Sequence, residues 1–98
     1  MSQKLKRTRG SDNIFVDLGF PPGEAENLKL RSDLMIAIVS LYRRSGLTQA
    51  EAAKRLGITH PRLNALLKSR IDQFSLDSLV NIASRAGLNV RLVIRKAA

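Results

Sequence analysis

Between Thr48 and Arg70 the chain places Gln49, Thr59, His60, Arg62, Asn64, Lys68 and Arg70, with no acid from Ala52 to Ile71. These side chains form hydrogen bonds and carry charge, and nothing in their arrangement makes or breaks covalent bonds. Asn and Arg can each make paired hydrogen bonds to one base, Asn to an adenine edge and Arg to a guanine edge. Lys and Arg on an acid-free surface suit phosphate. The chemistry to expect is therefore recognition of a nucleic acid. His60 is the only histidine and there is no cysteine, so neither a thiolate or histidine metal cluster nor a His-based triad can be assembled from this chain. With no glycine-rich phosphate loop or nucleophile–base pair, the sequence predicts a protein that is not an enzyme and takes no cofactor.

Two short crossed helices are needed to present those residues. Thr48 and Glu51 form a T-x-x-E capping box that opens the first helix. Ala52, Leu56, Ile58, Leu63 and Leu66 supply the shared core, and Ala53 is small where the helices approach. Gly57 supplies the positive φ of the sharp turn. Thr59 caps the second helix, whose first turn tolerates Pro61. On that helix His60, Arg62 and Asn64 point away from Leu63 and Leu66, so they are the expected base readers. Ala65 offers a small apolar contact of the kind a thymine methyl takes, and Lys68 and Arg70 extend the basic surface. Lys54 and Arg55 read as a solvated helix face.

The remainder of the 98 residues supports that pair. A formal net charge of +9 favours a polyanionic partner. Only 4% of the residues are aromatic, which leaves few platforms for stacking single-stranded bases and favours duplex DNA over RNA. Residues 1–12 form a basic N-terminal tail with Lys4, Lys6, Arg7 and Arg9, expected to be flexible, and residues 13–98 form the domain. Ile14–Phe20 reads as an extended or turn segment docking on the core. Pro21 and Pro22 open a short helix to about Leu28. A second helix, Leu30–Arg44, carries Leu34, Ile38, Leu41 and Tyr42 on one side, widened by Met35 and Val39, and stops at Gly46. Ser75 caps a helix from Leu76 to about Ala86. Val90, Leu92 and Ile94 then alternate with Arg91, Val93 and Arg95 in the period of a half-buried strand. A lone strand needs a partner, either the Ile14–Val16 segment or the same strand of a second chain. No apolar run approaches the roughly 20 residues of a membrane span, and none follows the basic start as a signal peptide requires. The expected location is the cytoplasm, with no membrane contact.

The stretch Thr48–Lys68 resembles the helix-turn-helix of the phage-repressor-like, or Xre, family. The resemblance covers residues from about Leu34 to Ala86. It implies an all-α, phage-repressor-like helix-turn-helix domain of about five helices, here with a C-terminal β-strand. It also implies a homodimeric repressor that binds an inverted-repeat operator in double-stranded DNA. In that family a glutamine placed like Gln49 anchors a phosphate and braces the reading helix. Ile14–Gly19, Leu47–Ala53, His60–Pro61–Arg62, Phe74–Asp77 and Leu88–Leu92 further resemble a HigA-like antitoxin subgroup. That narrower likeness implies a small ribonuclease-type toxin as partner. Relatives commonly carry Gln and Ser where this chain has His60 and Asn64, so a base preference does not transfer.

Overall fold

The computed structural model describes residues 13–96, and each of its α-helices begins at a capping side chain or a proline. The expected basic tail, residues 1–12, lies outside the described residues, as do residues 97–98. Five α-helices occur in the order α1 (Ile14–Asp17), α2 (Pro22–Ser45), α3 (Gln49–Leu56), α4 (His60–Leu67) and α5 (Leu76–Arg85). A 3₁₀ turn, Ile71–Gln73, lies between α4 and α5.

The number of helices matches the expectation, but the N-terminal half divides differently. Ile14–Asp17 is a helical turn and not an extended segment, because the Asn13 side chain accepts from the Phe15 N–H at 2.9 Å. The Asn13 amide also donates to the Ala25 carbonyl at 2.8 Å, which pins this turn to the start of α2. Phe15 and Phe20 meet edge to face, their ring centroids 6.1 Å apart. The two helices expected over Pro22–Leu28 and Leu30–Arg44 are one 24-residue helix. No helix breaker falls between Leu28 and Leu30, and two i,i+4 contacts span the place where a break was expected. Arg31 Nε donates to Asn27 Oδ1 at 2.6 Å, and Lys29 pairs with Asp33 at 2.8 Å. Gly46, at φ 76°, ends the helix in the left-handed region as expected.

α2 packs against α5 and also touches α1, α4 and the 3₁₀ turn, while α3 packs against α4 and reaches α5. Met35 and Ile38 of α2, Ala52, Ala53 and Leu56 of α3, and Leu63 and Leu66 of α4 are buried in one core with Phe74, Leu79, Ile82 and Ala83. Leu34, Val39, Tyr42 and Ile58 pack around it half-buried. The motif's apolar positions are thus the centre of the fold.

Among the described residues there is no β-strand. α5 ends where the Leu88 N–H donates to the Ala83 carbonyl at 2.9 Å, with Gly87 at φ 88°. Beyond that point, no hydrogen bond is made by Asn89–Lys96 among the described residues. The half-buried strand expected here does not form: residues 89–96 are exposed, and a strand exists only through ladder bonds. The one candidate partner within this chain, Ile14–Val16, is taken up in α1.

Candidate nucleic-acid interface

The capping box forms in full. Thr48 Oγ1 accepts from the Glu51 N–H at 3.1 Å, and Glu51 Oε1 accepts from the Thr48 N–H at 2.9 Å. These bonds to Thr48, first through its backbone and then its side chain, hold the Glu51 carboxyl below its ordinary pKa. α3 stops at Gly57, φ 72°, with the Ile58 N–H returning to the Ala53 carbonyl at 3.0 Å. Two residues later Thr59 Oγ1 accepts from the Arg62 N–H at 3.2 Å and opens α4. Only Gly57 and Ile58 separate α3 from the capping Thr59, so the N-terminus of α4 is set by the end of α3.

The most direct link between the two helices is polar. His60 Nε2 lies 2.9 Å from Gln49 Oε1. An amide oxygen only accepts, so Nε2 carries the proton and donates, which leaves Nδ1 as the free ring nitrogen of the exposed histidine. Gln49 therefore braces the first residue of α4. Asn64, one turn further along, is exposed, as are Thr59, Pro61, Lys68 and Arg70.

Two of the expected contacts are placed elsewhere. Arg62 is half-buried, its Nη1 donating to the Gln73 carbonyl at 2.7 Å and its guanidinium carbon standing 4.2 Å from the centre of the Phe74 ring. The side chain expected to read guanine is folded back onto the loop that follows α4. Ala65 is half-buried against the core, where it leaves little methyl surface for a base. His60 and Asn64, with Gln49 at the first helix, remain as the outward set.

Three further residues shape this surface without having been singled out. Arg31 Nη1 donates to the carbonyls of Ile71 and Phe74, both at 3.1 Å, so Arg31 and Arg62 together hold the loop after α4. Its spacing carries the signal: Arg31 falls in the helical series Leu28, Met35, Ile38, where a cation must be answered by carbonyls. Arg85 lies over the motif turn, and a Cβ built on Gly57 would stand 2.5 Å from its Nε. Ser69, two residues beyond α4, sits at φ 57°, with the Arg70 N–H returning to the Ala65 carbonyl at 2.9 Å. This turn sets the course of the chain into Arg70.

Comparison with known proteins identifies the same arrangement. Residues 14–95 match the family model described as "Helix-turn-helix domain". A solved structure of an XRE-family transcriptional regulator superposes with a TM-score of 0.69 at 34% identity, covering 76% of this chain and 83% of the other. No curated protein matches the sequence.

Proposed function

This chain belongs to the Xre helix-turn-helix family of DNA-binding transcriptional regulators, and from that premise we propose that it is a sequence-specific repressor, acting as a homodimer on an inverted-repeat operator. The observation that carries the reading is the Gln49–His60 hydrogen bond, which ties the reading helix to the N-terminus of α3 while Asn64 stays exposed one turn on. In this arrangement Gln49 meets a phosphate, and His60 Nδ1 and the Asn64 amide face base edges. Thr59 and Pro61 line the approach to the groove, and Lys68 and Arg70 contact the flanking backbone. Arg62 is a positioning residue that holds the loop Arg70–Phe74 behind the helix. Ala65 packs inward and contributes shape.

Selection of bound duplexes from a random pool, followed by anisotropy titration on matched and scrambled sites, tests this. Asn64→Ala is expected to lower discrimination by about 1–3 kcal/mol while affinity for scrambled DNA stays unchanged. A dimer should select two half-sites about one helical turn apart. Equal affinity of the wild type for both duplexes at every salt concentration refutes operator reading.

A second reading adds a toxin partner. It rests on the likeness to HigA-like antitoxins and on α1, where Ile14 is 60% exposed and Leu18, the residue after it, is 67% exposed. Such apolar surface suits a protein contact. Under this reading the protein neutralises a small ribonuclease-type toxin and represses their shared operon. Co-expression with the neighbouring reading frame should then rescue growth that the neighbour alone arrests, and a neighbour that is harmless alone refutes it.

A further inference from the structure

α3 packs against α4 and α5, and between it and the last turns of α2 lies a cavity of about 150 Å³. Its walls are Ile38 and Leu41 of α2, Leu47 of the connecting turn, Ala52 and Leu56 of α3, and Ala86 at the end of α5. Ile38, Ala52 and Leu56 are buried and the other three half-buried, so the cavity is closed at its floor and open toward solvent. Ala52 and Ala86 are small where longer side chains would fill the space. Apolar cavities of this size accept a benzene-sized ring.

Three polar residues complete the lining: Tyr42, Ser45 and Arg55. The Ser45 hydroxyl is already used, donating to the Tyr42 carbonyl at 2.6 Å and accepting from the Leu47 N–H at 3.1 Å. The Tyr42 hydroxyl makes no hydrogen bond among the described residues, and Arg55 makes neither a hydrogen bond nor a salt bridge among them. Glu51, the acid whose charge is felt by Arg55, has its carboxylate committed to the Thr48 N–H at 2.9 Å. An apolar space for one ring is thus lined by one uncommitted cation and one uncommitted hydroxyl. We infer that it binds a small carboxylate whose apolar body is about one ring in size, the ring seated between α2 and α3 and the carboxylate accepting from Arg55 and Tyr42. A cationic ligand would meet Arg55 within a chain of formal net charge +9. The N-terminal tail, with Lys4, Lys6, Arg7 and Arg9, is a poor occupant for the same reason. Such a site goes beyond operator reading and is independent of it, although it lies on α3, the helix whose Gln49 braces the reading helix.

Tyr42 is the only tyrosine and there is no tryptophan, so emission excited in the tyrosine band reports this cavity directly in the full-length protein. Cyclohexanecarboxylate, which does not absorb in that band, should change the emission saturably and raise Tm. Acetate, which has the charge without the body, and cyclohexylmethylamine, which has the body with the opposite charge, should each bind at least about tenfold more weakly. Arg55→Ala should raise the dissociation constant for cyclohexanecarboxylate about tenfold, the equivalent of one charged hydrogen bond at a partly exposed site, and leave the Tm without ligand unchanged because Arg55 is exposed. Ala86→Leu fills the cavity from the half-buried end of α5 and should abolish the saturable change; if that variant fails to fold, Arg55→Ala still decides. No saturable change in the wild type overturns the site. Equal affinity for the amine overturns the carboxylate, and unchanged affinity in either folded variant places binding elsewhere and overturns the cavity. Tyrosine emission that shifts with protein concentration alone shows a second copy seated there and overturns the small ligand. Operator discrimination is measured without the carboxylate, so its failure leaves this site standing and the loss of this site leaves operator reading standing.

Discussion

Replacing Arg62 by alanine removes one charged hydrogen bond, to the Gln73 carbonyl at 2.7 Å, and one cation–π contact, 4.2 Å from the Phe74 ring centre. A hydrogen bond from an ionised donor contributes about 1.5–3 kcal/mol when well shielded, and about 1 is appropriate here because the guanidinium is only half-buried. The ring contact adds about 0.5–1 kcal/mol at such a site. Together they predict a loss of about 1.5–2 kcal/mol. For a domain of this size each kcal/mol shifts Tm by about 4–8 °C, so Arg62→Ala should melt roughly 6–16 °C below wild type. Arg62→Lys should recover only a small part, because an ammonium lacks the planar stack on Phe74. The assay is thermal unfolding followed by circular dichroism, run beside anisotropy titrations on matched and scrambled duplexes below the lower Tm. A positioning role weakens binding to both duplexes by the same factor. If Arg62→Ala instead keeps the wild-type Tm and loses discrimination at a single base pair, the guanidinium leaves Phe74 on DNA and reads a base, and the reasoning fails.

Gly57→Ala forces a Cβ into a turn at φ 72° and against Arg85, and should destabilise by about 1–2 kcal/mol in urea titrations. Arg85→Ala in the same chain should restore only the part due to contact, since the left-handed strain remains. Because bonding to Thr48 lowers the Glu51 pKa from its ordinary 4.5, its stabilising effect is present above that value and is lost as pH falls through the lower folded-state value. Glu51→Gln should accordingly flatten the acid limb of a stability–pH curve. Lys68→Ala or Arg70→Ala should reduce the slope of log affinity against log salt by about 0.9 per contact, and by about twice that in a dimer, with specificity retained.

What could be read from the residues was whatever is local. Thr48 with Glu51, Gly57, Thr59 and Gly46 each act within a few residues of themselves, and each cap forms as its type requires. The core positions of α3 and α4 followed from spacing for the same reason. The boundary at residue 29 was misread because the weak apolar pattern there looks like an interruption, whereas Asn27–Arg31 and Lys29–Asp33 pair along the helix surface. The fate of Arg62 could not be read, because its partners Gln73 and Phe74 are eleven and twelve residues away across a turn whose path depends on Arg31 and Ser69. The strand failed for a related reason: alternation reports which side chains prefer burial, but pairing needs a second backbone, and this chain has no free one beside it among the described residues.

The formal charge of +9 therefore overstates the surface offered to DNA. Arg31 and Arg62 spend their donors on the carbonyls of Ile71, Gln73 and Phe74, Lys29 is matched by Asp33, and Arg85 lies over Gly57. Near the reading helix, Lys54, Arg55, Lys68 and Arg70 are exposed, and Arg55 sits close enough to Glu51 to help lower its pKa. The inward and outward cations are coupled by the chain itself, since the loop held by Arg31 and Arg62 begins at Arg70. Removing an inward arginine loosens the backbone from which an outward one projects. Removing an outward arginine leaves the fold as it was and deletes one phosphate contact. The two classes should separate in a plot of Tm against salt slope, because an inward substitution moves a variant mainly along the first axis and an outward one mainly along the second.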